Sequence, residues 1–268
     1  MSRAPIDTVT VTRLSTAGVP EPPREERCGV AVEGIVTIDV SGIGAYTIMC
    51  TPLDARPLAV GFLFCEGIIS SLDEIDALAE CPDAPDVLRV TLAPRASARA
   101  SGKGGRLVVS SCGVCGSENL DETLGALPRV GDSLRVGARV LRAANRAMVD
   151  RQVAYKGCGG THAAMIFDAR GEPVSFAEDV GRHNALDKAI GKILLAGGST
   201  AGRGVALSGR VSLEMITKCA RAGIELVGAV SAPTSLAIEA ATRCGITLCA
   251  FVREDRATAF TRADRILS

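Results

Sequence analysis

The second half of the chain alternates short apolar runs with helix-length segments, and few folds accept that pattern. Val205 to Leu207, Leu226 to Val230 and Thr247 to Phe251 are apolar runs of strand length. Between them, Leu213 to Ala222 and Leu236 to Cys244 place apolar residues at helical spacing. Strands and helices alternating through short turns imply parallel βαβ units, with the helices covering the sheet. Ahead of these, Ala163 to Phe167 and Val174 to Phe176 flank the turn Asp168-Ala169-Arg170-Gly171 and predict a hairpin. Ala185 to Ala196 predicts a helix with Leu186, Ile190, Ile193 and Leu194 on one face, closed by Gly197-Gly198.

The first half is less regular. Residues 1 to 27 hold four prolines among mixed charge and predict an extended or mobile arm. Val30 to Val40 and Ala45 to Cys50 alternate around Gly42 and Gly44, a hairpin pattern. Pro57 to Ile69 predicts a helix ending near Gly67, and Ser71 to Ala79 a short second helix capped by Ser71 or Asp73. Val87 to Leu92 and Arg106 to Ser110 predict strands joined by a small, basic linker from Arg95 to Gly105. Ser117 to Leu124 reads as a short helix and Arg135 to Val149 as an amphipathic one. The expected division falls near Pro128. Residues 1–128 form an N-terminal arm and small mixed β domain that ends in a thiol-bearing loop, and residues 129–268 an α/β domain.

At 268 residues, 47% hydrophobic and 22% charged, the chain has the makeup of a globular protein with a substantial core. Aromatic residues make up 3% and Trp is absent, which argues against stacking on single-stranded nucleic acid. Net charge is zero, so no overall field directs the chain to nucleic acid or a membrane surface. Charge is uneven, however: Glu66 to Asp86 holds seven acidic residues, whereas Arg95 to Lys156 sets 11 basic against 5 acidic ones. These are solvated faces or, for the basic stretch, a surface for an anionic cofactor or acidic partner. No export signal and no membrane-length apolar run are visible, and ten cysteines then predict reduced thiols in the cytoplasm. Cys28, Cys50, Cys65, Cys81, Cys219, Cys244 and Cys249 lack metal-knuckle spacing and read as buried, inert thiols.

The remaining cysteines are more pointed. Ser110-Ser111-Cys112-Gly113-Val114-Cys115-Gly116 follows an apolar run, so two thiols sit on a glycine-rich loop at a strand end. Cys115 precedes a predicted helix N-terminus, which favours thiolate, while Glu118, Asp121 and Glu122 oppose it. A single C-x-x-C without a second pair, and no H-x-E with P-C-x-x-C, argue against a structural or deaminase zinc site. Persulfide chemistry on Cys112 and Cys115 and a thioredoxin-like redox pair both remain open. Three strand-end turns offer a ligand site: Ser208 to Ser212, Ser231 to Ser235 and Phe251 to Arg256. Their bland counterpart is hydroxyl helix caps and a charged surface turn. Glu178 to Lys188 is dense in polar residues, with Arg182 and His183 either holding an anion or joined to Asp179 and Asp187 in a structural cluster. Neither a Walker loop nor a dinucleotide fingerprint is present.

SCGVCG, THAAMIF, EDVGRHNALDK, SLEMITK, VSAPTSLAIEAA and GFLFCEGII, in this order save the last, resemble the formate dehydrogenase accessory sulfurtransferases, the FdhD family, from about Gly34 to the C-terminus. The resemblance implies a second domain similar to the cytidine deaminase fold without its zinc. It implies transfer of sulfur from a cysteine desulfurase to the molybdenum or tungsten bis-guanine-dinucleotide cofactor, which is bound as substrate, for the catalytic subunit of formate dehydrogenase. Cys112 would carry the persulfide with Cys115 assisting. Phe251, Val252, Arg253, Glu254, Asp255 and Arg256 would bind the guanine-nucleotide part, in a homodimer with no nucleic-acid or membrane partner. Two features depart from the family pattern: Cys158, and Glu254 with Asp255, whose carboxylates would repel phosphate. A cofactor-binding chaperone without sulfur chemistry and a thiol oxidoreductase are the competing classes.

Overall fold

A computed structural model describes residues 4–16, 22–100, 107–108 by backbone alone, and 124–267. Its centre is a six-stranded sheet in the order β10-β9-β11-β12-β13-β14. The strands are β9 (His162–Phe167), β10 (Pro173–Asp179), β11 (Gly204–Leu207), β12 (Leu226–Ala229), β13 (Thr247–Ala250) and β14 (Thr258–Thr261). β11, β12 and β13 are mutually parallel, as the alternation predicts, while β9, β10 and β14 run antiparallel to their neighbours.

Side-chain alternation divides the two faces. Ala164, Ile166, Val205, Leu207, Val227 and Leu248 point to a core shared with α5 (Arg182–Leu195), α6 (Leu213–Arg221) and α7 (Ser235–Cys244). Ala163, Met165, Phe167, Ala206, Leu226 and Cys249 point the other way, onto Leu141, Ala144 and Met148 of α3 (Ala138–Arg151), which the short α4 (Val153–Cys158) follows. Strands buried on both faces need continuous apolar sequence, which is why β11 to β13 carry it. The result is a three-layer α/β/α arrangement.

The N-terminal sheet has five strands in the order β5-β6-β3-β4-β7. These are β3 (Gly34–Val40), β4 (Gly44–Cys50), β5 (Ile75–Cys81), β6 (Ala84–Leu92) and β7 (Leu107–Val108). The predicted β3–β4 hairpin is present, with Val36, Ile38, Val40, Tyr46 and Ile48 facing α1 (Ala55–Cys65). Four local expectations are corrected. Residues 6–13 and 24–31 are β1 (Ile6–Arg13) and β2 (Arg24–Ala31), a register-matched antiparallel ribbon. The prolines stop neither strand because Pro22 and Pro23 lie just before β2. Ser71 to Ala79 is a single 3-10 turn, Leu72–Glu74, followed by β5, because pairing with β6 outweighs the local cap signal. The described part of the predicted linker, residues 95–100, belongs to α2 (Pro94–Ala100), with proline in its first turn and Ala96 and Ala100 buried one turn apart, and residues 101–105 lie outside the described residues. Finally, Val136 is not helical: β8 (Val136–Gly137) pairs with β15 (Ile266–Leu267) before α3 begins. The Ser117 end of the short predicted helix lies outside the described residues.

The two sheets meet through α1 and α5, which touch backbone to backbone. A Cβ at Gly61 would stand 1.9 Å from the Asp187 carbonyl oxygen, and one at Gly191 1.9 Å from that of Pro57. Beside this crossing, buried Asp179 and Lys188 form an ion pair of 2.5 Å. Asp179 also accepts the Thr51 N–H at 3.0 Å, and Lys188 donates to the Thr51 carbonyl at 2.8 Å.

Candidate functional site

Cys112, Cys115 and the rest of their loop lie outside the described residues. The other half of the expected site is defined. β13 ends at Ala250, and Phe251 takes a left-handed backbone (φ 53°), a costly conformation for a non-glycine residue that the surroundings must hold in place. Val252 is buried and donates its N–H to the Ala229 carbonyl at 3.0 Å, and the Arg253 N–H closes a turn onto the Arg256 carbonyl at 2.8 Å. The Phe251 ring is 40% exposed and tilts against Phe260 at 6.2 Å between centroids.

The three strand-end turns do converge. Val211 N–H donates to the Ala232 carbonyl at 3.1 Å, Thr234 N–H to the Val211 carbonyl at 2.9 Å, and Phe251 N–H to the Ser231 carbonyl at 3.4 Å. Their bland role is present in part: Thr234 caps α7 by accepting the Ala237 N–H at 3.3 Å, whereas Ser212 makes no side-chain cap to α6.

A cleft of about 490 Å³ opens beside the third turn, floored by Leu141, Cys249 and Val252. Its rim brings Arg139 and Arg142 of α3 to Arg253, Glu254, Asp255 and Arg256. Four guanidinium groups against two carboxylates leave the cleft positive. Arg253 Nη1 is engaged by the Val230 and Val252 carbonyls at 2.7 and 2.9 Å, so it braces the turn. Glu254 is drawn toward α3: its carboxylate lies 3.4 Å from Arg146 Nη1, and its carbonyl accepts from Arg142 Nη1 at 3.1 Å. Asp255 stands 3.8 Å from Arg256. The two carboxylates that depart from the family pattern are therefore each placed beside an arginine. Sequence reading missed Arg139, Arg142 and Arg146. The basic excess of their segment was visible, but which helical face meets residues 251–256 is a tertiary matter.

The Glu178 to Lys188 segment resolves differently from its structural reading. Asp179 pairs with Lys188, and Asp187 with Lys218 at 2.9 Å, so neither holds Arg182 or His183. His183 Nε2 instead lies 3.2 Å from Glu214 Oε2 and 3.5 Å from Ser212 Oγ. Burial, then Arg182, Lys218 and His162, push its imidazole down to about 3, so it is neutral at physiological pH. Burial also pushes thiols up: Cys50 to about 12, Cys249 to about 11, and Cys65, Cys219 and Cys244 likewise upward. The inert reading of these five holds on physical grounds, because the thiolate is the nucleophile. Cys28, by contrast, is only partly buried.

The description "FdhD/NarQ family" belongs to the family model that matches residues 31–267. The chain belongs to this family. Among individual members, it is 36% identical over 245 residues to "Sulfur carrier protein FdhD" of Thermoplasma acidophilum, covering 89% of this chain and 86% of the relative. It is 40% identical over 239 residues to the protein of the same name from Burkholderia cenocepacia, covering 84% of each. In solved structures, it resembles a putative formate dehydrogenase accessory protein from Desulfotalea psychrophila with a TM-score of 0.76 and 26% identity, covering 98% of this chain and all of that one. The mixed α/β architecture is thus shared with this solved accessory protein. Among the described residues, no helix is long and apolar enough to cross a membrane.

Proposed function

We propose that this FdhD-family chain is a cytoplasmic sulfurtransferase that passes persulfide sulfur from a cysteine desulfurase to a molybdenum or tungsten bis-guanine-dinucleotide cofactor destined for formate dehydrogenase. The cleft at residues 251–256 carries this reading. It lies beside the carboxyl end of the parallel strand β13, the end at which α/β sheets hold ligands, and its arginine rim suits the phosphates of a dinucleotide. The family's members are named as sulfur carriers, and Cys112 and Cys115 are the pair that matches its loop motif.

In the first step, the Cys112 thiolate attacks the terminal sulfur of the desulfurase persulfide. The S–S bond to the desulfurase breaks, its cysteine leaves as thiolate, and Cys112 holds the sulfane sulfur with no net redox change. Delivery at the sulfide level needs two electrons. Cys115 supplies them by attacking the inner sulfur, which releases hydrosulfide to the bound cofactor and leaves a Cys112–Cys115 disulfide for a dithiol reductant. Arg139, Arg142 and Arg256 hold the nucleotide's phosphates, and Arg253 holds the turn.

The test is mass spectrometry after incubation with desulfurase and cysteine, run beside activation of apo-formate dehydrogenase by wild type, Cys112→Ala and Cys115→Ala. One added sulfur on wild type, none at this site in Cys112→Ala, and loss of activation are expected. Full activation by Cys112→Ala would leave a cofactor-binding chaperone and sink the sulfur-transfer step. A reductant-dependent Cys112–Cys115 cycle without nucleotide binding would point to an oxidoreductase. Arg256→Gln should weaken guanine-nucleotide binding about tenfold or more, the loss expected for a charge-assisted contact.

A further inference from the structure

A second cluster of cations occupies the same sheet edge, two strands away from the cleft. β9 is antiparallel to β11, so His162 starts where β11 ends, with Leu207 opposite Ala164. Gly209 lies between His162 and Arg182: a Cβ there would stand 3.2 Å from His162 Nδ1 and 3.5 Å from Arg182 Cβ. Arg210 follows directly, exposed. β12 separates β11 from β13, which puts this cluster about 10 Å along the edge from residues 251–256.

Among the described residues, the cluster is short of negative charge. Arg182 Nε is buried and has no hydrogen-bond partner among them. Arg210 makes no hydrogen bond or ion pair among the described residues. Burial and then the neighbouring Arg210 disfavour the charge on Arg182, while Glu214 supports it. Burial, Arg182 and Arg210 also act against protonation of His162. Of the carboxylates nearby, Asp179 is engaged by Lys188, Thr51, Gly181 and Asn184, and Glu214 faces His183 as well. The N-termini of α5 and α6 start here and add partial positive charge. An arginine whose charge a neighbouring arginine opposes, beside an imidazole, is favoured when an anion enters. A group with several oxygens answers forked donors arriving from more than one direction.

We propose that Arg182, Arg210 and His162 form a site for a phosphoryl or pyrophosphoryl group at the carboxyl end of β11, separate from the cleft at residues 251–256. It stands whether or not that cleft binds guanine nucleotide.

Titration calorimetry of the full chain with inorganic pyrophosphate tests it, using wild type, Arg182→Gln, Arg210→Gln and Arg256→Gln. Wild type should bind. Arg210→Gln and Arg182→Gln should each weaken binding about tenfold or more, both alone and on an Arg256→Gln background that silences the cleft. On the Arg256→Gln background pyrophosphate should raise the melting temperature, and adding Arg210→Gln should abolish the rise. Arg210 is exposed, so its variant stays readable even if Arg182→Gln folds poorly. Competition by GDP would mark a nucleotide as the source of the group and its absence an inorganic one, each consistent with the site. No binding by wild type at millimolar pyrophosphate, unchanged binding in Arg210→Gln, loss confined to Arg256→Gln, or competition by guanosine would overturn it.

Discussion

His183 has a side chain only 7% exposed and an imidazole held neutral in the fold, down to about 3, against about 6.5 in the unfolded chain. Between those two values the unfolded chain takes up a proton that the native state refuses. Stability is therefore intact above pH 6.5 and lost as pH falls, by about 2 kcal/mol at pH 5. Asp187 works the other way, because burial pushes its carboxyl up to about 6 and the native state binds that proton first. The two are separated by comparing wild type with His183→Gln in urea unfolding at pH 7 and pH 5. Wild type should lose about 2 kcal/mol more than the variant over that interval, and equal losses would mean His183 is not buried neutral. Lys218 shows the same balance of burial and pairing: burial opposes its charge, but Asp187, Glu66 at 3.6 Å and the Phe62 ring beneath it keep the ammonium.

The crossing of α1 and α5 depends on two glycines in helix interiors, where glycine ordinarily costs stability. Replacing an exposed helical glycine by alanine normally gains about 1 kcal/mol. At Gly61 and Gly191 the sign reverses, since a Cβ would meet carbonyl backbone at 1.9 Å and the helices must separate. Gly61→Ala and Gly191→Ala should each cost about 1–3 kcal/mol or more in denaturant unfolding, and a stabilising effect would contradict the crossing. Of these elements, the alternation of β11, α6, β12, α7 and β13 was legible in sequence because each strand is buried on both faces and each helix on one. β5 was not, because Ser71 and Asp73 set a helical cap signal just ahead of it that only pairing with β6 overrides. β1 and β2 were hidden by nearby prolines, and β8 and β15 by their brevity.

At the scale of the molecule, the described parts of the two sheets are joined at the α1–α5 crossing and by the buried Asp179–Lys188 pair that reaches Thr51 just past β4. Lys188→Met leaves the Asp179 carboxylate buried without its cation and should cost about 3–5 kcal/mol in stability, with part restored in Lys188→Met/Asp179→Asn. A loss below 1 kcal/mol by urea unfolding would remove the pair from the junction's energetics. A second interlock ties the C-terminus down. Buried Arg265 donates to the carbonyls of Glu225 and Gly131 at 2.8 and 2.6 Å and to Asp132 at 2.9 Å, while the Glu225 carboxylate accepts the N–H groups of Ser133 and Leu134. Nothing in the local sequence around Arg265 distinguishes it from a solvated arginine, since its partners lie 40 and more positions away.

Sequence alone determined the layered α/β plan and where its strand-end turns fall, 251–256 among them, because apolar periodicity and turn residues are written locally. The tertiary structure decided which charges meet. Arg139 and Arg142 join the cleft, Glu254 turns toward Arg146 of α3, and Arg182 and Arg210 come to the end of β11 beside His162, because these placements depend on strand order and helix rotation that no stretch of neighbouring residues specifies.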